Sequence, residues 1–429
     1  MNNKPLFTRL TQVEPSEMKG ALISFVFVFL LMASYTIMKP VRDALPSEWG
    51  DVSLAKQWTY TFIASTIAVF IYNICASQVS LRRLVPGVFV FFALTFLGIF
   101  VAFRFGIKAT LLGKIFYVWS SVFSLFHISV FWSFISQHYN KNQSKRVFGF
   151  INTGVSAGAI FGPLIIILLA KSMSVDVILL VTSAVLLTTL PLIAILNRHF
   201  NEKEQSNKIE EKTKLSPNPF SGFQEFITHK RLLGIALFIF LLAGVSTCLY
   251  FIQKDLLVDY SRAERKQLLG SVELITNILT IVLGIFATNR MAKKFGMATT
   301  LSIVPFIVGI LLLLLSANPA IMLVLALQVA RRAGNYAITR PSREILFTAV
   351  DREARFKTKP IIDVAIYRGG DVTWAWLIAY LGDGGLNLKI PAMLCIAAGV
   401  TIVWGIVGIY LGKAHEKASD LEDENSAST

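Results

Sequence analysis

Residues 20–38 read GALISFVFVFLLMASYTIM, a run of nineteen without one charged side chain. At 1.5 Å per residue an α-helix of that length covers roughly 28 Å, close to the hydrocarbon thickness of a bilayer. A helix at the surface of a soluble domain shows water one polar face, and this run has none to show. Runs of the same kind recur along the chain until twelve are counted, six before and six after a polar stretch at 197–231. The chain as a whole agrees. It has 429 residues, 54% of them hydrophobic and only 16% charged, with a mean hydropathy of +0.62. Soluble domains carry about 25% charged residues. A disordered chain, a disulfide scaffold and an ordinary cytosolic enzyme are excluded on that balance. The formal net charge of +15 would suit nucleic acid, but the basic residues stand between apolar runs. No nucleic-acid partner is expected; the partner is the lipid bilayer.

The expected architecture is an all-α membrane protein of 12 transmembrane helices in two six-helix pseudo-repeats. The first bundle is placed at 1–196, a flexible cytoplasmic connector at 197–231 ("NEKEQSNKIEEKTKLSPNPF" is its centre), the second bundle at 232–411 and an acidic disordered tail at 412–429. Cytoplasmic loops of membrane proteins are enriched in Lys and Arg. With both termini inside, the inner loops hold 24 basic residues and the outer loops 12, so both ends are expected in the cytoplasm. The first nineteen residues include Glu14 and Glu17 and resemble neither a signal peptide nor a transit peptide, which favours a bacterial inner membrane. Cys75, Cys248 and Cys395 fall in different spans and read as small buried hydrophobes.

The halves match at a shift of about 212 residues. "RDAL" at Arg42–Leu45 corresponds to "KDLL" at Lys254–Leu257, and the basic loop at Arg82 and Arg83 to Lys293 and Lys294. Parallel six-helix repeats about an axis along the membrane normal are the major facilitator architecture, whose substrate site lies near the midplane.

Ionisable groups at bilayer depth cost at least about 2.5–3.5 kcal/mol each, so they face a cavity or a partner. The tenth span, Ile321–Phe347, contains "LQVARRAGNYAITRPSREILF". Arg331 and Arg332 fall near its middle. Arg332, Tyr336, Arg340 and Arg343 are spaced four, four and three, which predicts one helical face. Pro341 predicts a kink. The eleventh span, Pro360–Leu381, contains "KPIIDVAIYRGGDVTWAW", with Asp363, Tyr367, Asp371 and Trp374 near one face and Arg368 beside them. Gly369 and Gly370 would let a ligand or a neighbouring backbone come close. Guanidiniums bind phosphate or carboxylate with a bidentate fork, and a tyrosine ring offers a stacking face. Arg331, Arg332, Tyr336, Arg340, Arg343, Tyr367, Arg368 and Asp371 are therefore the substrate-binding candidates.

A second set reads as gate or coupling groups. Lys39, Arg42 and Asp43 end the first span, with Lys254 and Asp255 as their repeat mates. Arg340, Arg343 and Glu344 suit a cytoplasmic gate, and Asp363 is one turn from Lys359. Glu273, a turn into the eighth span, is either a proton site or a partner for Lys39 or Arg42. His127 reads as a hydrogen-bonded packing residue, and Gly154, Gly158 and Gly162 as close helix packing. No phosphate loop, metal-ligand spacing or nucleophile elbow occurs, so no enzyme activity, cofactor or metal is expected. Energy for transport then comes from gradients or exchange.

Three stretches carry a resemblance: "YTIMKPVRDAL", "KRVFGFINTGVSAGAIFGP" and "RRAGNYAITRPSREILFTAVDREARFKTKPIIDVAIYRGGD". Through them the chain resembles the ATP/ADP translocase (NTP/NDP exchange transporter) family, itself similar to the major facilitators. The resemblance implies nucleotide exchange, with Lys39, Arg42, Arg340, Arg343 and Arg368 at the family's charged motif positions and Glu273 at an acidic one. The leading expectation is a secondary transporter of a small organic anion, most specifically a nucleotide antiporter, with a monomer favoured. The alternatives are a proton-coupled facilitator for another anion (a sugar phosphate, peptide or muropeptide) using Glu273, Asp363 and Asp371, and a lipid-translocating or sensor membrane protein.

Overall fold

Hydropathy places the helix centres, and the computed structural model shows how they end and break. It describes residues 13–139, 141–172, 174–204, 230–286, 288–347 and 361–427, all helix and connecting turn with no strand among them. Most of the 197–231 connector lies outside the described residues. The chain is a multi-pass integral membrane protein, and its described residues build twelve helices.

The first six are α1 (Pro15–Ala44), α2 (Asp51–Gln78), α3 (Leu81–Arg104), α4 (Ala109–Ser136), α5 (Lys141–Leu169) and α6 (Val175–Glu204). Then come α7 (Lys230–Leu256), α8 (Arg262–Phe286) and α9 (Thr288–Ala317). α10 is composite: an α-helix at Ile321–Gly334, a π-helical turn at Asn335–Thr339 and a short α-helix at Arg340–Leu346. α11 is a π-helical turn at Ile361–Ile366 continued by Tyr367–Leu381, and α12 is Ile390–Ala427. Ten of the twelve are individually long and apolar enough to cross a membrane. The two that are not are α10 and α11, because the π turns cut them into shorter α-helical pieces.

Helix ends reflect local chemistry. Pro15 opens α1, where a missing N–H costs nothing, and the Glu17 carboxylate accepts the backbone N–H of Glu14 at 3.2 Å. Gly296, at φ 77° and ψ 170°, sets the start of the membrane part of α9 in a conformation that side-chain-bearing residues avoid. The next two N–H groups, of Met297 and Ala298, donate to Glu416 of α12 at 2.6 and 3.2 Å. That anchor corrects the expectation of a disordered tail. α12 continues as helix to Ala427, through a stretch rich in the helix formers Glu, Lys, Ala and Leu.

The chain forms two compact units, and each borrows a segment from the opposite half. One comprises Met1–Leu45, Ile63–Thr213 and Ser261–Leu274; the other comprises Pro46–Phe62, Lys214–Tyr260 and Ile275–Thr429. The beginning of α8 thus packs with α1 and α5, and the beginning of α2 packs with α7 and α11.

In lipid, apolar surface gains nothing by leaving water, so helices associate through close packing and hydrogen bonds. α1 meets α5 in this way. A Cβ on Gly154 would stand 2.8 Å from the Phe25 carbonyl oxygen, and one on Gly158 2.5 Å from that of Phe29. The Thr36 hydroxyl donates to the Gly158 carbonyl at 3.1 Å. An aromatic cluster fills the rest of this unit: Phe27 lies edge-on to Phe89 (5.6 Å) and Phe131 (5.1 Å), and Phe123 to Phe92 (5.0 Å). Each such pair contributes about 0.5–1.5 kcal/mol beyond burial. His127 joins this packing, with its ring centroid 4.4 Å from that of Tyr35, but neither ring nitrogen has a hydrogen-bond partner among the described residues. The three cysteines are free; only Cys248 is fully buried, whereas Cys75 is half-buried and Cys395 exposed.

Candidate functional site

Polar residues interrupt α10 where its first α-helical segment ends. Gln328, Arg331 and Arg332 occupy its last two turns, and cations are favoured at a helix C-terminus. Arg331 is 7% exposed. One guanidinium Nη donates to Ser246 Oγ of α7 at 2.5 Å and the other to Gln328 Oε1 at 2.7 Å. The Gln328 amide donates in turn to Gln253 of α7 at 3.2 Å. Arg331 Nε has no hydrogen-bond partner among the described residues. A buried guanidinium is thus held in place entirely by neutral groups. Ser246, Gln253 and Gln328 were missed in the sequence, although a Gln three residues before an Arg in an apolar span is a usable signal.

α11 brings its own charges alongside. Gly370 packs on Phe240 and Ala243 of α7, where a Cβ would stand 3.2 Å from the Phe240 ring; around Gly369 nothing lies within 4 Å. One of the two glycines therefore serves helix contact. Trp374 fixes the helix next to it, donating from Nε1 to the Phe240 carbonyl at 2.9 Å. On this frame Arg368 Nη1 is 3.9 Å from Asp371 Oδ2, their side chains 23% and 15% exposed. Among the described residues the Asp371 carboxylate accepts no hydrogen bond, and 3.9 Å is too long for one. Arg331 lies within electrostatic reach of Arg332, Tyr336, Tyr367 and Asp371, and Arg368 within that of Tyr367 and Asp371. Six of the eight substrate-binding candidates are brought together.

The other two lie past the π turn. The four residues Arg332, Tyr336, Arg340 and Arg343, expected on one face, are separated by the π turn at Asn335–Thr339, a wider turn that breaks the regular α spacing. Arg340 is exposed and Arg343 buried, with Glu344 Oε1 at 3.5 Å from Arg343 Nη2. The cause is Pro341. Its ring would meet the carbonyl of Ala337 in a continuous α-helix, and widening the preceding turn relieves that clash. The kink read from the proline is this π turn. The side chain of Asp363, like the whole of Lys359, is outside the described residues.

The remaining charges are saturated. Lys39 of α1 pairs with Glu273 of α8 at 2.7 Å, one of the two roles expected of Glu273. Arg42 holds Asp43 at 2.8 Å and lies over the Tyr117 ring at 5.7 Å. Lys254, 5% exposed, bonds both Asp51 Oδ1 and Asp255 Oδ1 at 2.6 Å and the Trp49 carbonyl at 3.2 Å. Asp383, in the turn after α11, accepts the Asp51 N–H at 2.9 Å. Asp51 and Asp383 were missed; the acidic first residue of α2 was the available clue. The two lysine pairs are built alike, though not from positions that match at the repeat shift. In each, a lysine near the end of one half's first helix meets an acid on the other half's second helix.

Comparison with known proteins places this geometry. The family model for the Major Facilitator Superfamily matches residues 18–341. No curated protein matches the chain. Among solved structures, the fold is similar to a bacterial homologue of the human lysosomal transporter Spinster in an inward-facing, unoccupied conformation. That match has a TM-score of 0.56 and 12% identity over 95% of this chain and 98% of that one. The nucleoside transporter NupG matches at 0.63 and 13% over 93% and 99%. A bacterial metal transporter matches at 0.59 and 10% over 93% and 99%. At these identities the solved structures speak to fold alone. The family model covers most of the chain, and the protein is a member of the Major Facilitator Superfamily of membrane transporters.

Proposed function

We propose that the protein is a secondary transporter of an organic anion, most specifically one that exchanges one nucleotide for another (NTP for NDP) by alternating access. The observation that carries this reading is the state of Arg331. It is a buried cation whose two hydrogen-bond partners, Ser246 and Gln328, bring no negative charge, with Arg332 beside it. Among the described side chains, the α10–α11 cluster holds three guanidiniums and one carboxylate, an excess of positive charge. Burying such an excess is costly unless something negative visits it. Tyr336 and Tyr367 offer ring faces to the flat part of a nucleotide. Lys39, Glu273, Lys254, Asp255, Arg42 and Asp43 serve the movement of the helices and not ligand contact. The protein resides in a bacterial inner membrane with both termini cytoplasmic.

Liposomes containing the purified protein and preloaded with ADP should take up labelled ATP in the presence of a protonophore. Uptake that requires a proton gradient and no internal nucleotide would replace exchange with proton coupling. Failure of every nucleotide to drive counterflow would remove the nucleotide from the reading.

A further inference from the structure

The cluster on α10 and α11 is not purely basic. Asp371 lies near the guanidiniums of Arg368 and Arg331, yet Arg368, its nearest cation among the described residues, is 3.9 Å away and gives it no hydrogen bond. A carboxylate has about four lone-pair sites and is expected to fill them when taken out of water. Two other membrane-embedded carboxylates have a cation at hydrogen-bonding distance: Glu273 is 2.7 Å from Lys39, and Asp51 is 2.6 Å from Lys254. Asp371 is only 15% exposed, so water reaches it poorly. Opposite it, Arg331 keeps an Nε–H without a partner among the described residues while both its Nη groups are engaged. One unfilled acceptor and one unfilled cationic donor therefore stand within electrostatic reach of each other, beside two tyrosines.

Resting on the anion reading, we propose that this is an amphoteric site. Arg331, Arg332 and Arg368 take the anionic group of the ligand, and the Asp371 carboxylate accepts an N–H or O–H donor of the same molecule. The substrate class is then an anion bearing an amine or hydroxyl, which includes sugar phosphates, amino-substituted phosphates and nucleotides. Bare phosphates and alkyl phosphates are excluded. The carboxylate acts as the filter. It repels an anion that brings no donor, and it rewards one that does with a charge-assisted hydrogen bond.

The test uses matched pairs of phosphates titrated calorimetrically into the purified full-length protein. The pairs are glycerol 3-phosphate against propyl phosphate, phosphoethanolamine against ethyl phosphate, and ADP against methyl diphosphate. The donor-bearing member of whichever pair binds should bind about tenfold tighter or more, the margin of a hydrogen bond to a charged group. Asp371→Asn should bring that ratio to within about twofold, and Asp371→Glu should restore part of it. Equal affinities within every pair that binds would overturn the amphoteric site and leave the anion reading standing. An undiminished ratio in Asp371→Asn would also overturn it. If none of the six phosphates binds, both readings fall. Should Asp371→Asn not fold, Asp371→Ser and the wild-type ratios decide the matter by the same outcomes.

Discussion

Two sets of buried cations in this protein are treated in opposite ways. At the ends of α1 and α7, lysines meet carboxylates at hydrogen-bonding distance: Lys39 with Glu273 at 2.7 Å, and Lys254 with both Asp51 and Asp255 at 2.6 Å. On α10 and α11, Arg331 is held by a serine and a glutamine, and the Arg368–Asp371 pair is stretched to 3.9 Å. Charge at membrane depth is expensive in both places. Among the described residues both lysines have a carboxylate at hydrogen-bonding distance, whereas the hydrogen-bond partners of Arg331 are neutral. The contrast separates fastening from binding: a saturated pair holds helices, and an unsaturated cation waits for a counter-ion.

The sharpest break in that comparison is Lys254→Met, which leaves Asp51 and Asp255 buried without their counter-charge. Loss of one partner from a buried pair costs about 3–5 kcal/mol, read as a fall in unfolding free energy in a denaturant titration. Neutralising all three positions together (Lys254→Met, Asp51→Asn, Asp255→Asn) should recover most of it. Next in size is Arg331→Gln. This change keeps a hydrogen-bonding side chain and removes the charge, so stability should hold while affinity for the transported anion drops about 30-fold or more. The Lys39→Met and Glu273→Gln pair should show a coupling of about 1–2 kcal/mol in a double-mutant cycle, smaller than at Lys254 because Lys39 is 16% exposed. Smallest of all, Arg340→Ala should change anion affinity by less than about threefold, since the π turn carries it to an exposed position. A large loss there would return Arg340 to the binding face.

The same contrast explains what a sequence can and cannot reveal here. Apolar runs, their number and the repeat shift are properties of neighbouring residues and were legible, as were the arginines of "VARRAGNY". The break at Asn335–Thr339 was half legible. Pro341 announced a disturbance, but the pattern of residues did not say that a wider turn would absorb it. Nothing local marked the π turn at Ile361–Ile366. The pairing of Lys39 with Glu273 and of Lys254 with Asp51 joins opposite halves of the chain, and periodicity within a helix carries no record of it. Whether an arginine is saturated depends on such distant partners. Ser246, which holds Arg331, is on another helix and reads in the sequence as one more small residue in a span. The tail failed for a related reason, because Glu416 anchors α12 to residues more than a hundred positions earlier.

The account rests on the unsaturated guanidiniums receiving the anion, and a structure of the protein with ADP tests that most directly. A phosphate oxygen within about 3 Å of an Arg331 or Arg368 nitrogen, with the Lys39–Glu273 and Lys254–Asp51 pairs carrying no ligand, is the predicted result. A nucleotide bound at the lysine pairs, with Arg331 still held only by Ser246 and Gln328, would contradict it.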